Sequence, residues 1–94
     1  MQLREALAEA NEDMLFADGF DAALIGVVTS AYGVPVALYD IEACVAVLVN
    51  RDSMTEEDAL EYLDYNVINA HMGENTPMFA TLLPKEIHGT QEEN

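Results

Sequence analysis

The chain has very few basic residues. Its 94 residues include only Arg4, Arg51 and Lys85 as Lys or Arg, against eighteen Asp or Glu, so the formal net charge at pH 7 is −15. Nucleic-acid binding needs clustered Lys and Arg side chains, and attraction to an anionic membrane needs them too. We therefore expect no direct binding to nucleic acid and none to a membrane.

Cysteine and long apolar runs are also scarce. Cys44 is the single cysteine, so no disulfide can form within the chain. No apolar run reaches the roughly 18 residues that span a membrane. The N-terminal sequence has neither the apolar stretch of a secretory signal nor the basic character of a transit peptide. These absences favour a protein of the reducing cytoplasm.

The remaining composition is that of a folded domain. Hydrophobic residues make up 51% of the chain, and high net charge predicts disorder only when hydrophobicity is low. A chain of this length forms one domain with a modest core. We expect residues 1–84 to form a single globular domain and residues 85–94 to form a polar, flexible tail.

Three stretches have the apolar periodicity of amphipathic helices. They cover residues 3–17, 41–50 and 55–72. Asp40 lies at the start of the second stretch and Ser53 or Thr55 at the start of the third, and these residue types are favoured N-caps. We therefore predict three helices, the last two beginning at these caps.

Three other stretches predict β-strands. Residues 22–31 and 36–39 are rich in apolar and β-branched residues and flank a turn, which is typical of a hairpin, and residues 77–83 form a third apolar run. Gly26, inside the first strand, predicts either a bulge or the close approach of a neighbour. The resulting order is α-β-β-α-α-β, which predicts an α+β fold with a small, mainly antiparallel three-stranded sheet packed with helices.

Four stretches stand out together in order and spacing: DGFDAALIGV at 18–27, YDIEAC at 39–44, MTEEDALEYLDYNV at 54–67 and GENTPMF at 73–79. Together they resemble a family of small, uncharacterised acidic proteins found mostly in bacteriophage genomes. The resemblance leaves the first helix and the tail outside. It implies a phage origin and a host-cell setting, and it implies no catalytic role.

Some matching residues in these stretches have structural interpretations. Gly19 and Gly73 lie where the predicted helices end, and glycine is favoured at such positions. Asn66 lies beside the apolar face of the last helix, where its amide could hold a neighbouring loop. These roles concern the architecture rather than a chemical activity.

The acidic residues of the last helix are the main candidate for an interaction surface. Glu57, Glu61 and Asp64 are four and three residues apart, so they share one helix face at steps of about 5–6 Å. A row of carboxylates at this spacing resembles part of a nucleic-acid backbone. Tyr62 and Tyr65 flank the row, and exposed aromatic rings are frequent interface anchors. The alternative is a solvated helix face, with the tyrosines covering the edge of the core.

A second group of acids lies on the polar side of the first predicted helix. Glu5, Glu9 and Glu12 belong to it. We include these three residues among the candidate interaction residues.

Catalytic and metal sites are not indicated. No EF-hand loop is present, and His71 and His88 do not form a zinc-type spacing with Cys44. Cys44 falls in an apolar stripe and is expected to be a small core residue. We predict no enzyme activity, no metal and no cofactor.

The leading hypothesis is a non-enzymatic, phage-encoded protein that binds a basic surface of a host protein, such as a nucleic-acid-binding one, as a nucleic-acid mimic or inhibitor. One alternative is a self-assembling structural module, in which the apolar hairpin pairs across a two-fold axis to form a homodimer. Another is a small metal- or ligand-binding protein. Adaptation to high salt is a separate explanation for the acidity.

Overall fold

The structure, a computed structural model, describes residues 3–89 and has an α+β fold. Its helices and strands follow in the order α1 (Leu3–Ala8), β1 (Leu24–Thr29), β2 (Pro35–Asp40), α2 (Ile41–Asp52), α3 (Glu56–Leu63) and β3 (Met78–Ala80). Short 3-10 turns cover Asp21–Ala23 and Lys85–Ile87, and a π-helical turn covers Asp64–Ile68. The predicted fold class and element order are confirmed. Residues 90–94 of the predicted tail lie outside the described residues, and the division at residue 84 stays a prediction.

The three strands form one mixed sheet in the order β1-β2-β3. The hairpin of β1 and β2 is antiparallel, with Thr29 opposite Pro35, and this is the longer pairing. The short β3 pairs with the other side of β2 in parallel, with Phe79 opposite Tyr39. A parallel neighbour requires a crossover connection, and α2 and α3 together provide it.

A β-bulge interrupts the hairpin near the start of β1. Leu24 is opposite Tyr39 and Gly26 is opposite Leu38, so Ile25 is an extra residue on β1. The bulge predicted at Gly26 is therefore present. The alternative prediction of a close neighbour is wrong, because a Cβ added at Gly26 would meet nothing within 4 Å. The extra residue places Leu24 beside Tyr39 in the core.

The core lies between the sheet and the two central helices. The helices contribute Cys44 and Leu48 from α2 and Ala59 and Leu63 from α3, all fully buried. Tyr39 is the largest fully buried side chain. Its ring stacks on Phe79 with centroids 5.3 Å apart, so that β3 is held to β2 by side chains as well as by backbone pairing.

Both predicted helix caps are confirmed. Asp40 Oδ1 accepts a hydrogen bond from the N–H of Glu42 at 3.1 Å, and Thr55 Oγ1 accepts one from the N–H of Asp58 at 3.1 Å. Each bond satisfies a donor of the first helical turn that has no partner within the helix. The boundary between β2 and α2 is therefore defined by a local interaction.

The predicted helix over 3–17 is wrong in its length, because α1 ends at Ala8. The backbone N–H of Leu15 bonds to Asn75 O at 3.3 Å, and the N–H of Ala17 bonds to the Tyr39 hydroxyl at 2.8 Å. These bonds to distant residues replace the i→i−4 bonds of a helix. Gly19, with φ +88°, therefore lies in a loop and does not end a helix.

The last predicted helix and strand are also shorter than expected. The helix predicted over 55–72 is α3 followed by the π-helical turn, which ends at Ile68. Asn69 Nδ2 donates to Asp64 O at 2.8 Å, and Asn is a poor residue for a helix interior. Gly73 lies in the following loop with φ +96°. The strand predicted over 77–83 pairs with β2 only over Met78–Ala80.

Candidate protein-interaction surface

Three exposed carboxylates extend along α3 and into the π-helical turn. Glu57 and Glu61 belong to α3, and Asp64 follows it with right-handed helical torsions of φ −58° and ψ −48°. All three residues are exposed. Residues three and four positions apart on a helix are neighbours on its surface. We name Glu57, Glu61 and Asp64 the acidic row.

The acidic row makes no ion pair with the described cations. Arg4 pairs with Asp21 at 2.8 Å and with Asp18 at 3.3 Å, and Arg51 pairs with Asp52 at 3.0 Å. Within residues 3–89, no ion pair reaches any of the three carboxylates of the row. Like charges at these helical spacings repel each other, so a cationic partner would relieve a repulsion that the fold leaves in place.

An aromatic groove adjoins the acidic row and shares Glu61 with it. Tyr65 is 82% exposed and Tyr62 is 40% exposed, so neither is a core residue. The groove has a volume of about 460 Å³. Its lining is Met54, Asp58, Glu61, Tyr62, Tyr65 and Asn66. We name this feature the tyrosine groove.

The chemistry of the tyrosine groove suits a cationic side chain. The face of an aromatic ring attracts an ammonium or guanidinium group, and a nearby carboxylate can form a charge-assisted hydrogen bond with it. Glu61 and Asp58 supply carboxylates beside the two rings. The groove can therefore accept a Lys or Arg side chain.

The sequence suggested that the Asn66 amide holds a neighbouring loop, but the structure shows a different contact. Asn66 Nδ2 donates to Tyr62 O within the same helical segment, at 3.2 Å. The bond links two residues that line the tyrosine groove. Asn66 therefore supports the local backbone of the groove rather than a distant contact.

The N-terminal acids do not form a second helical row. Glu5 lies in α1, but Glu9 and Glu12 follow the end of the helix and lie in turns. All three are exposed. Their arrangement on one helix face was a wrong prediction, because the helix ends too early. Their part in an interaction stays a prediction.

The two arginines, 47 positions apart in the sequence, both contact the loop at residues 16–21. The Arg4 guanidinium lies 4.9 Å from the ring centroid of Phe16, and the Arg51 guanidinium lies 5.6 Å from that of Phe20. Arg51 Nη1 also donates to Gly19 O at 2.9 Å. The hydrogen bond from Arg51 lowers the pKa of Asp52. Both arginines are thus engaged away from the acidic row, and no local sequence pattern signalled this.

Cys44 is placed as the sequence predicted, inside the core. The residue is fully buried, and this burial raises the pKa of its thiol from 9.0 to about 11. Nucleophilic attack requires the thiolate, so the thiol is unreactive at neutral pH. Within the described residues, no group of three or more His, Cys, Asp or Glu side chains is arranged to hold a metal ion.

Comparisons with known proteins do not assign the surface. No protein-family model, curated protein or solved structure matches this chain. Among the helices of residues 3–89, none has the length and apolar character needed to cross a membrane.

Proposed function

We propose that this protein is a non-enzymatic interaction protein that binds a basic surface of a host protein. The observation that carries the proposal is the acidic row, which is exposed, makes no ion pair with the described cations and adjoins the tyrosine groove. The resemblance over residues 18–79 supports a phage origin, and with it the host cytoplasm as the place of action.

The acidic row would take the place of phosphates. Its residues follow one helix face with Cβ atoms at steps of about 5–6 Å, and a net charge of −15 steers the protein towards positive surfaces. Proteins that bind nucleic acid present such surfaces. The protein would therefore occupy the nucleic-acid-binding groove of a host protein and inhibit that host protein.

The tyrosine groove would anchor the complex. Aromatic residues are enriched among those that dominate binding energy. A Lys or Arg side chain of the partner would lie against Tyr62 and Tyr65, with its charge near Glu61. Such a contact would fix one position of the partner, whereas the row alone supplies a less specific attraction.

The partner can be sought by capture from a host lysate with elution by a salt gradient. We expect a basic, nucleic-acid-binding protein that elutes as salt rises, because salt screens charge attraction. Added DNA or RNA should compete with the captured protein. An affinity that is unchanged between low and high salt would contradict the proposed nucleic-acid mimicry. A captured partner that still binds nucleic acid normally within the complex would contradict it as well.

Variants with equal charge separate the surface from the net charge. The test variant carries Glu57→Gln, Glu61→Gln and Asp64→Asn, and the control carries Glu42→Gln, Glu74→Gln and Asp13→Asn, none of which is a candidate interaction residue. All six residues are exposed, and both variants lose three negative charges. We expect the test variant to lose at least about tenfold in affinity and the control much less. Equal losses would mean that only total charge matters.

A further inference from the structure

The hairpin is an uncharged region of a strongly acidic protein. Residues 22–39 contain no Asp, Glu, Lys, Arg or His. They include all of β1 and all of β2 except its last residue, Asp40. The acids of the chain therefore lie before and after this segment, and the hairpin is the part least subject to repulsion between two copies of the chain.

β1 is an edge strand of the sheet. Among residues 3–89 its one neighbouring strand is β2, so alternate N–H and C=O groups along its other edge face away from the sheet. Natural edge strands commonly carry a charged residue, often Lys, or a proline, and either one prevents pairing with a further strand. β1 contains none of these, although the bulge at Ile25 shortens the regular edge.

Apolar side chains are exposed on the same strand. Ile25 is 44% exposed and Val27 is 39% exposed. Val27 is opposite Ala37, which is fully buried, so its side chain extends the apolar face of the sheet to the edge. A strand added beside β1 would cover Val27 and supply partners for the outward backbone groups.

We propose that a second copy of this chain pairs with β1 through its own β1, antiparallel and about a two-fold axis. The distribution of charge indicates which strand would pair with the β1 edge. A basic partner would gain nothing from an uncharged strand, whereas a second copy carrying −15 can approach closely only where charge is absent. A two-fold axis makes the contact self-complementary and continues the sheet across two copies.

The contact would be weak and would depend on salt. A six-residue strand is about 20 Å long, so this pairing alone lies at the low end of interface sizes, below about 1,200 Å². The surrounding acids of the two copies repel each other, and salt screens that repulsion over a length of about 8 Å at physiological ionic strength. Dimerisation should therefore strengthen as salt rises, which is the opposite of the salt dependence expected for a basic partner.

Sedimentation velocity of the full chain tests the pairing. The concentration should run from about 1 μM to about 1 mM, at about 50 mM and about 500 mM NaCl. We expect the dimer fraction to rise with concentration and to be larger at high salt. A monomer at every concentration in high salt would overturn the proposal while leaving the binding of a basic partner untouched. If the chain dimerises but binds no basic protein, only the proposed function is overturned.

Matched variants locate the contact. Val27→Glu adds a charge at the β1 edge, and Leu82→Glu adds the same charge at a residue that is 49% exposed and lies outside the hairpin. We expect Val27→Glu to weaken dimerisation at least about tenfold and Leu82→Glu to leave it close to that of the unmodified chain. The reverse pattern would place the contact elsewhere and overturn the proposal.

Amide hydrogen exchange of the unmodified chain also tests the contact. It needs no substituted protein, so misfolding of a variant cannot affect the result. Alternate amides within Leu24–Thr29 should exchange more slowly at high protein concentration, because the partner strand accepts their hydrogen bonds. Amides of α3 should show no such change. Exchange in β1 that is independent of concentration would overturn the proposal.

Discussion

The side chains of Asn11 and Asn75 are joined by a hydrogen bond of 2.9 Å between Nδ2 and Oδ1, across 64 residues of sequence. The same Nδ2 donates to Pro35 O at 2.9 Å. The backbone of Leu15 adds a further bond to Asn75 O. The segment after α1 is thereby attached both to the start of β2 and to the loop that precedes β3.

Asn11→Ala should destabilise the fold. It removes a donor to two acceptors in a partly buried site, and an acceptor left without a partner costs about 1–3 kcal/mol. Urea unfolding followed by circular dichroism measures the change. Asn50→Ala is the control, because Asn50 is exposed in α2 and alanine favours a helix. Equal stability of the two variants would contradict the role assigned to Asn11.

Tyr39→Phe should lower the stability by about 1–2 kcal/mol. The hydroxyl of Tyr39 accepts the N–H of Ala17 at 2.8 Å, and phenylalanine leaves that donor without its partner while keeping the ring stacked on Phe79. Tyr65→Phe makes the same chemical change at a residue that is 82% exposed. Thermal unfolding should separate the two variants. A Tyr39→Phe variant as stable as Tyr65→Phe would show that the bond contributes little.

Two glycine substitutions should have opposite effects. Gly19 has φ +88°, and a Cβ there would lie 3.0 Å from Arg51 Nη1, so Gly19→Ala should cost about 1–2 kcal/mol. Gly26→Ala has free space around the added Cβ and should stabilise the strand by up to about 1 kcal/mol. Denaturant midpoints of the two variants provide the comparison. A stabilising Gly19→Ala would contradict the loop geometry.

The stability should fall at alkaline pH, in part because of Cys44. Burial raises the pKa of its thiol from 9.0 to about 11, so the folded state retains a proton that the unfolded state loses. The stabilisation is complete below about pH 9 and is lost as pH rises towards 11. Burial also raises the pKa of the Tyr39 phenol, which adds to the same trend. Cys44→Ala should show a shallower decline of unfolding free energy over pH 9–11, and an unchanged slope would contradict the contribution of Cys44.

Salt should stabilise the isolated protein without being required for folding. Screening weakens repulsion among the eighteen acids, so the melting temperature should rise with NaCl. The rise should be smaller when the acidic row is neutralised by Glu57→Gln, Glu61→Gln and Asp64→Asn. Circular dichroism without added salt should still show a folded chain. A chain that unfolds there would favour adaptation to high salt as the origin of the acidity.

Local sequence patterns determined the parts of this protein that depend on neighbouring residues. The apolar runs placed β1 and β2, and the Asp40 and Thr55 caps each bond to a backbone N–H two or three residues away. The row of Glu57, Glu61 and Asp64 follows from helical spacing in the same way. Each of these features requires only a few adjacent positions.

The tertiary structure decided what depends on residues far apart in the chain. The helix predicted over 3–17 does not reach its predicted end, where the N–H groups of Leu15 and Ala17 bond to Asn75 and Tyr39, which no local pattern can indicate. The parallel pairing of β3 with β2 depends on where the α2–α3 crossover returns the chain. The arginines were visible in the sequence, but their engagement with the loop at 16–21 was not. Because that engagement depends on distant contacts, only the fold shows that the acidic row makes no ion pair with either arginine.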